Sequence, residues 1–510
     1  MQHKLQKIID MKRNSLFAKV IFVAVALVCL GCINGVAAGA DRPKLVVGIV
    51  VDQMRWDYLY RYYGLYGDGG FKRLMSEGYN CENTMINYVP SITGVGHASI
   101  FTGSVPAIHG IAGNSFMQDG RMVYCCADST VSGVGSDTDA GRMSPRRLLT
   151  TTIGDELKIA TDFKAKVIGV SLKDRASILP AGHSADGAYW IDYSTGAFIT
   201  STYYMERLPG WVVDFNEKYG GKSEREIAYS TYGNLMTAEM AKAAVEGESL
   251  GQDSVTDMLT VSFSVTDKVG HEVGTHCPEI REIYLDVDKR LADMFAYLDQ
   301  KVGKGQYLVF LTADHGAANN AMMLQEHGIP AGGFVASKVE KALDAYLKQK
   351  FNTAQSLVNC VSNYKVFLNR GTIAGLGLSL DDVKKATVDW LERDPQYAYV
   401  VDLEQVMDAT LPAVVREKLV NGYHRLRSGD VQMVLNPAHY EASSEKPGRG
   451  TTHGVWNPYD THIPFILMGW GVKPGTTQAR TTINDIAATV CALIHVQMPN
   501  GCIGNAVVNN

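Results

Sequence analysis

An α/β fold with a mostly parallel central sheet flanked by helices is what this sequence predicts, and three observations predict it. Apolar runs of strand length alternate with longer stretches of helical pattern, as in βαβ units. Three of those runs lead into acidic residues, two of them with a histidine close behind. Fifty glycines fit a chain with many strand-to-loop transitions. At 46% hydrophobic and 20% charged residues, the composition excludes a disordered chain and supplies one large core or two smaller ones.

The elements follow in order. Residues 1–40 read as a secretory leader: Lys4, Lys7, Lys12, Arg13 and Lys19 precede an apolar stretch over residues 20–30, and Ala38-Gly39-Ala40 offers a cleavage site after Ala40. The apolar run is shorter than the roughly 20 residues of a membrane span, so no stable membrane insertion is expected after cleavage. Cys32 offers a lipid-anchoring alternative, but Cys29-Leu30-Gly31 is the poorer match to a lipobox. The reading is therefore export, to the periplasm or the extracellular space. Cleavage removes five Lys/Arg and one Asp, taking the formal charge from −5 to −9. An acidic chain lacks the basic footprint of a general nucleic-acid binder, so no nucleic-acid partner is expected.

Residues 41–510 then form the catalytic domain. Strands are expected over residues 44–51, 165–171, 258–265, 306–312 and 463–468, and helices over 144–160, 224–246, 278–302 and 483–494. The third helix starts well, with Pro278 in its first turn and Glu279 beside it. Two insertions are expected. The one at about 317–450 carries helices over 337–350 and 379–393 and short strands over 364–368 and 397–401. The one at about 182–219 holds Tyr189, Trp190, Tyr203, Tyr204 and Trp211, which either line a substrate groove or pack on the surface. Seven cysteines remain after cleavage, an odd number without C-x-x-C spacing, and read as structural. Adjacent Cys125 and Cys126 are not expected to bridge each other.

Asp52, Asp267 and Asp314 all fall at or just beyond the carboxyl ends of expected strands, where open α/β sheets gather their function. Without cations, three such carboxylates would repel and at least one would hold its proton. With His271, His315 and His453 they make a mixed imidazole and carboxylate set, which suits Zn²⁺ better than Mg²⁺ or Ca²⁺. Six ligands divide into Asp267, His271 and His453 for one ion and Asp52, Asp314 and His315 for another, a division that spacing does not dictate. Manganese or iron fits the same donors. The plainer alternatives are a capping role for Asp52, competition from His462 with His453, and surface or supporting roles for Glu272 and His276. His97 and His109 are expected to make structural hydrogen bonds.

Residues 87–99 are dense in hydroxyls and glycines and should open a helix. A hydroxyl at a helix N-terminus lies where backbone N–H groups favour phosphate and alkoxide oxygens. The residues alone do not choose between Ser91, Thr93 and Thr102 as the nucleophile.

Taken together, these segments resemble the alkaline phosphatase superfamily, in the branch with a threonine nucleophile shared by PafA-type phosphate monoesterases and nucleotide pyrophosphatase/phosphodiesterases. The resemblance runs from Val47 to about Trp470. It is carried by Val51-Asp52-Gln53-Met54, Thr93-Gly94, Gly103 to Gly110 leading to Asn114, Asp267 through His271, Thr312 to Gly316, and Thr452-His453-Gly454. It implies Thr93 as nucleophile and metal ligand, and two zinc sites with the ligand division above. It also implies that Lys173 and Arg175, in Leu172-Lys173-Asp174-Arg175, join Asn114 in binding the phosphoryl oxygens that face away from the metals. A monoester dianion exposes one more anionic oxygen than a diester, which a Lys/Arg pair offsets; the plainer alternative is a solvated charged turn. The implied activity is an exported alkaline phosphatase that hydrolyses small-molecule phosphate monoesters through a phospho-threonine. A phosphodiesterase or nucleotide pyrophosphatase is the first alternative, and a phosphoryl transferase or mutase the second.

Overall fold

The computed structural model describes residues 42–445 and 448–507, with His3 alone before them. The leader expected over residues 1–40, its cleavage site and Cys32 therefore lie outside the described residues, that single histidine apart.

Four strands form the centre of a ten-stranded sheet: β1 (Leu45–Val51), β2 (Val167–Ser171), β3 (Asp257–Phe263) and β4 (Tyr307–Thr312). All residues in these strands are buried, so they read as continuous apolar runs rather than as alternating ones. They lie in the order β4-β1-β3-β2 and pair in parallel, with Gly48 of β1 opposite Thr260 on one side and Phe310 on the other. Each large apolar side chain of β1 contributes about 1.5–3 kcal/mol by this burial.

Gly48 also fixes what lies above the sheet. A Cβ there would meet the Phe310 ring at 2.6 Å and Phe101 at 3.0 Å. Its absence lets the two rings pack at 5.6 Å, seating the helix that carries Phe101, α1 (Thr93–Thr102), over the central strands.

The sheet is mixed: its centre is parallel, antiparallel pairs flank it, and the edge strand Gly475–Thr477 pairs in parallel with Tyr79–Cys81. Gly187–Asp192 adds a fifth parallel strand beside β2, and Ala197–Ser201 and Gly133–Val134 follow it antiparallel. On the other side Phe465–Gly469 runs antiparallel to β4. Thus residues 182–219 contribute two strands to the main sheet. A separate antiparallel sheet of Val358–Ser362, Lys365–Leu368, Val431–Leu435 and Tyr397–Asp402 lies within residues 317–450, with its own apolar cluster around Leu343, Val366, Val383 and Met433.

Three expected helices differ from those observed. The first begins only at Ile153, because Thr152 and Asp155 close a capping box there. The second is two helices, Glu224–Ala228 and Thr231–Gly247, each with its own serine cap, Ser223 and Ser230. The third ends as an α-helix at Leu298 and finishes in a π turn over Asp299–Gly303.

Candidate active site

The carboxyl ends of the central strands deliver the site. Asp52 follows β1, and Asp314 and His315 lie just past β4. Beyond β3, helix α3 (Val265–Val273) carries Asp267 in its first turn and His271 four residues on, so both share one face. Lys173 leaves β2 as the N-cap of α2 (Asp174–Ala181). His453 comes from a loop beyond the antiparallel subdomain, and Thr93 is the first residue of α1.

The six ligand candidates converge as two groups. Asp52, Asp314 and His315 form one, and Asp267, His271 and His453 the other, with the donor atoms of each within 4.8 Å of one another. The imidazoles are oriented as metal-ligating histidines are. Nδ1 of His271, His315 and His453 lies 2.9, 2.9 and 2.8 Å from the carbonyl oxygens of Thr451, Gly316 and Ser91. A carbonyl only accepts, so each Nδ1 carries the proton, an arrangement that orients metal-ligating histidines and leaves Nε2 for the ion. Burial pushes the His315 imidazole down to about 3, so it is neutral. Its Nε2 lone pair nevertheless points among oxygens, 3.3 Å from Asp314 Oδ2 and 3.5 Å from Asp52 Oδ1. Neither of those buried oxygens accepts a well-formed hydrogen bond, although His97 Nδ1 lies 3.3 Å from Asp314 Oδ2. Converging lone pairs of this kind fit a divalent cation, and the mixed nitrogen and oxygen donors suit zinc.

Two side chains tie the groups together. Lys173 Nζ donates to Asp52 Oδ2 and Asp267 Oδ2, both at 2.6 Å, so its ammonium sits between the two donor sets rather than only on their outer side. Gln53, which the sequence placed in a motif but gave no role, adopts φ +64° just after Asp52. Its backbone N–H donates to Asp314 Oδ1 at 3.1 Å and its side-chain amide to Asp267 Oδ1 at 2.7 Å. Electrostatics follow from this crowding. Burial, and then the neighbouring Asp314, push the Asp52 carboxyl well above its usual range. Against burial, His271 and Lys173 hold Asp267 well below it.

Thr93 faces this assembly, with Oγ1 3.4 Å from His315 Nε2. Gly96 makes the approach feasible: a Cβ there would lie 2.2 Å from the Asp314 carbonyl oxygen, so only glycine lets α1 come this close. The rival hydroxyls point elsewhere. Ser91 donates to Val455 O, and Thr102 donates to Ala98 O in the last turn of α1. Next to Thr93, the Gly94 N–H donates to Asn114 Oδ1 at 2.8 Å, which leaves the amide NH₂ of Asn114 available to an incoming oxygen. Arg175 also reaches this spot, its Cδ 3.7 Å from where a Gly94 Cβ would be. Lys173 and Arg175 border a cavity of about 420 Å³ walled by Tyr124, Trp190 and Tyr193. Thus Trp190, of the aromatics expected near a groove, lines one.

The remaining candidates lie outside the donor sets. His97 donates from Nδ1 to Thr93 O and pairs through Nε2 with Ser262, while His109 bonds Ser99. His462 stacks on Trp56 and bonds Glu82 O, Glu272 pairs with Arg225, and His276 bonds Thr275. The seven cysteines among the described residues are all free thiols. No helix of the described residues is long and apolar enough to cross a membrane.

Comparison with known proteins adds to this geometry. The sequence model of the type I phosphodiesterase / nucleotide pyrophosphatase family matches residues 46–459. The chain is 44% identical to alkaline phosphatase PafA of Elizabethkingia meningoseptica, covering 91% of this chain and 94% of that protein. It is 43% identical to a Myroides odoratus protein named calcium-transporting ATPase, with 92% and 94% covered. To alkaline phosphatase PhoV of Synechococcus elongatus it is also 43% identical, with 92% and 93% covered. The crystal structure of wild-type PafA superposes with a TM-score of 0.88, covering 92% of this chain and 99% of that one.

Proposed function

The chain belongs to the type I phosphodiesterase / nucleotide pyrophosphatase family, alongside the alkaline phosphatases PafA and PhoV, and we propose that it hydrolyses phosphate monoesters through a phospho-threonine formed on Thr93. The observation that carries this reading is the placement of the Thr93 hydroxyl at the head of α1, against His315, with Lys173 fixed between Asp52 and Asp267.

Asp52, Asp314 and His315, joined by Thr93, would hold one divalent cation, and Asp267, His271 and His453 a second. When bound, zinc-like cations supply Lewis-acid activation of a hydroxyl or water and stabilise a leaving oxygen; manganese or iron would serve the same donors. The chain's own groups do the rest. Thr93 Oγ1 attacks phosphorus, the alcohol departs with the proton, and water then cleaves the phospho-threonine to return the hydroxyl and release phosphate. Asn114, Lys173 and Arg175 bind the non-reacting phosphoryl oxygens, and phosphoryl transfer depends chiefly on such positioning and charge. Two fixed cations beside the phosphoryl position favour a dianionic monoester over a monoanionic diester. Residues 1–40 would direct export, so that the enzyme releases phosphate outside the cytoplasm.

Diester hydrolysis is the competing reading, favoured by the family's own description. The test is to compare an aryl phosphate with its methyl diester for the wild type and Lys173→Ala. The monoester should dominate, and the variant should lose more monoesterase than diesterase activity. A wild-type enzyme that prefers the diester would overturn the proposal.

A further inference from the structure

Asn114 and Arg175 are brought to the same point by one small hairpin. Its strands, Ser115–Gln118 and Arg121–Tyr124, pair so that Ser115 faces Tyr124, and Cys125 N–H donates to Asn114 O at 2.8 Å to close the base. Asn114 therefore leaves one end of the hairpin and Tyr124 the other. The Tyr124 hydroxyl donates to Asp174 Oδ1 at 2.8 Å and accepts from Arg175 Nη1 at 3.0 Å. The order is fixed, because a guanidinium only donates and the hydroxyl has one proton to give. Directly, Arg175 Nη1 and Asp174 Oδ1 are 3.9 Å apart, beyond hydrogen-bond reach, so the hydroxyl is the bridge between them. Arg175 Nε is buried without a protein partner. Tyr124 also shares the wall of the 420 Å³ cavity with Lys173 and Arg175, which places it beside the site rather than deep in the core.

We propose that Tyr124 is a positioning residue: it aims the Arg175 guanidinium at the phosphoryl group and thereby contributes to the choice of monoester over diester. This rests on the phosphatase reading above. Without the hydroxyl, Arg175 keeps its charge but loses its anchor, and an arginine fork binds oxyanions well only when its plane is set. A tyrosine serving only to pack the hairpin would affect both ester classes alike, whatever residue stands at position 175.

The experiment is a double-mutant cycle with Tyr124→Phe, Arg175→Ala and the pair, in metal-replete enzyme, following an aryl phosphate and its methyl diester. Tyr124→Phe should lower kcat/KM for the monoester about tenfold, the loss typical of a hydrogen bond to a charged group. It should also weaken inhibition by inorganic phosphate and leave diester turnover within about twofold. In the Arg175→Ala background it should have no further effect on the monoester. Equal loss for both esters, or an undiminished loss when Arg175 is absent, would overturn the inference while leaving the phosphatase reading intact. If Arg175→Ala itself leaves monoester turnover and phosphate inhibition unchanged, the assignment of Arg175 fails, and the role of Tyr124 fails with it. Melting curves of all three variants check that each is folded.

Discussion

Asp52, Asp314 and His315 are fully enclosed, whereas in the second donor set His271 shows 37% of its side chain to solvent. The difference follows from where the donor residues come from. The enclosed set is built at the ends of two adjacent central strands, β1 and β4, whose register is fixed by parallel pairing, and α1 closes over it. The open set takes two of its donor residues from α3 and one from a loop that returns from the antiparallel subdomain. Enclosure suits a site that must present one hydroxyl in one geometry. Openness suits a site where an alcohol departs and a water enters.

The largest expected effect contrasts the two sets directly. Asp314→Ala removes a carboxylate that also accepts from Gln53 and His315 N–H groups, and should lower kcat/KM about 10³-fold or more. His271→Ala, at the exposed edge, should cost about 10²-fold and be partly restored by added zinc. Steady-state kinetics across a zinc titration separates them; equal losses with equal rescue would erase the distinction.

A smaller effect tests the same contrast through the backbone. Gly96→Ala places a Cβ 2.2 Å from Asp314 O, and Gly450→Ala places one 2.1 Å from His271 O. The clashes are alike, but Gly96 lies in the core and Gly450 in a partly exposed loop. Thermal melting should show Gly96→Ala destabilised by about 1–3 kcal/mol and Gly450→Ala by less. The reverse order would mean that the loop, not the helix, is the rigid partner.

The smallest effect is a pH dependence confined to the open side. Asp460 Oδ2 accepts from Val455 N–H in the His453 loop, and burial pushes its carboxyl up to about 8. A folded-state value above the unfolded one means the native state binds more protons between the two. Stability from this group is then full below the ordinary carboxylate range and is lost as pH rises through about 8. Relative to Asp460→Asn, wild-type melting temperature should fall as pH is raised towards 8 and change no further above it. A constant difference across that range would show that Asp460 does not titrate there.

Much of this was legible in the sequence because burial writes itself plainly. The run Val46-Val47-Gly48-Ile49-Val50-Val51 can only be a strand buried on both faces, and an aspartate directly after it lies at a strand end. The same holds for Asp314 after β4. Helix ends were less legible: the caps at Thr152, Ser223 and Ser230 are local signals that an apolar pattern overrides. What pattern reading did not reach were contacts set by distant chain segments. Nothing near Gln53 announces a positive φ and bonds to Asp267 and Asp314, more than two hundred residues away. Nothing near Lys173 shows that its ammonium lies between two carboxylates, nor near Tyr124 that its hydroxyl meets Arg175. Gly48 and Gly96 were visible as glycines, but the rings and the carbonyl that require them come from other elements.

The most direct test of the whole account is to quench the metal-replete enzyme in acid while it turns over a phosphate-labelled monoester, and to map the label by peptide sequencing. The account predicts a single phosphorylated peptide with the phosphoryl group on Thr93, absent in Thr93→Ala. Label on Ser91 or Thr102, or turnover in Thr93→Ala equal to wild type, would contradict it.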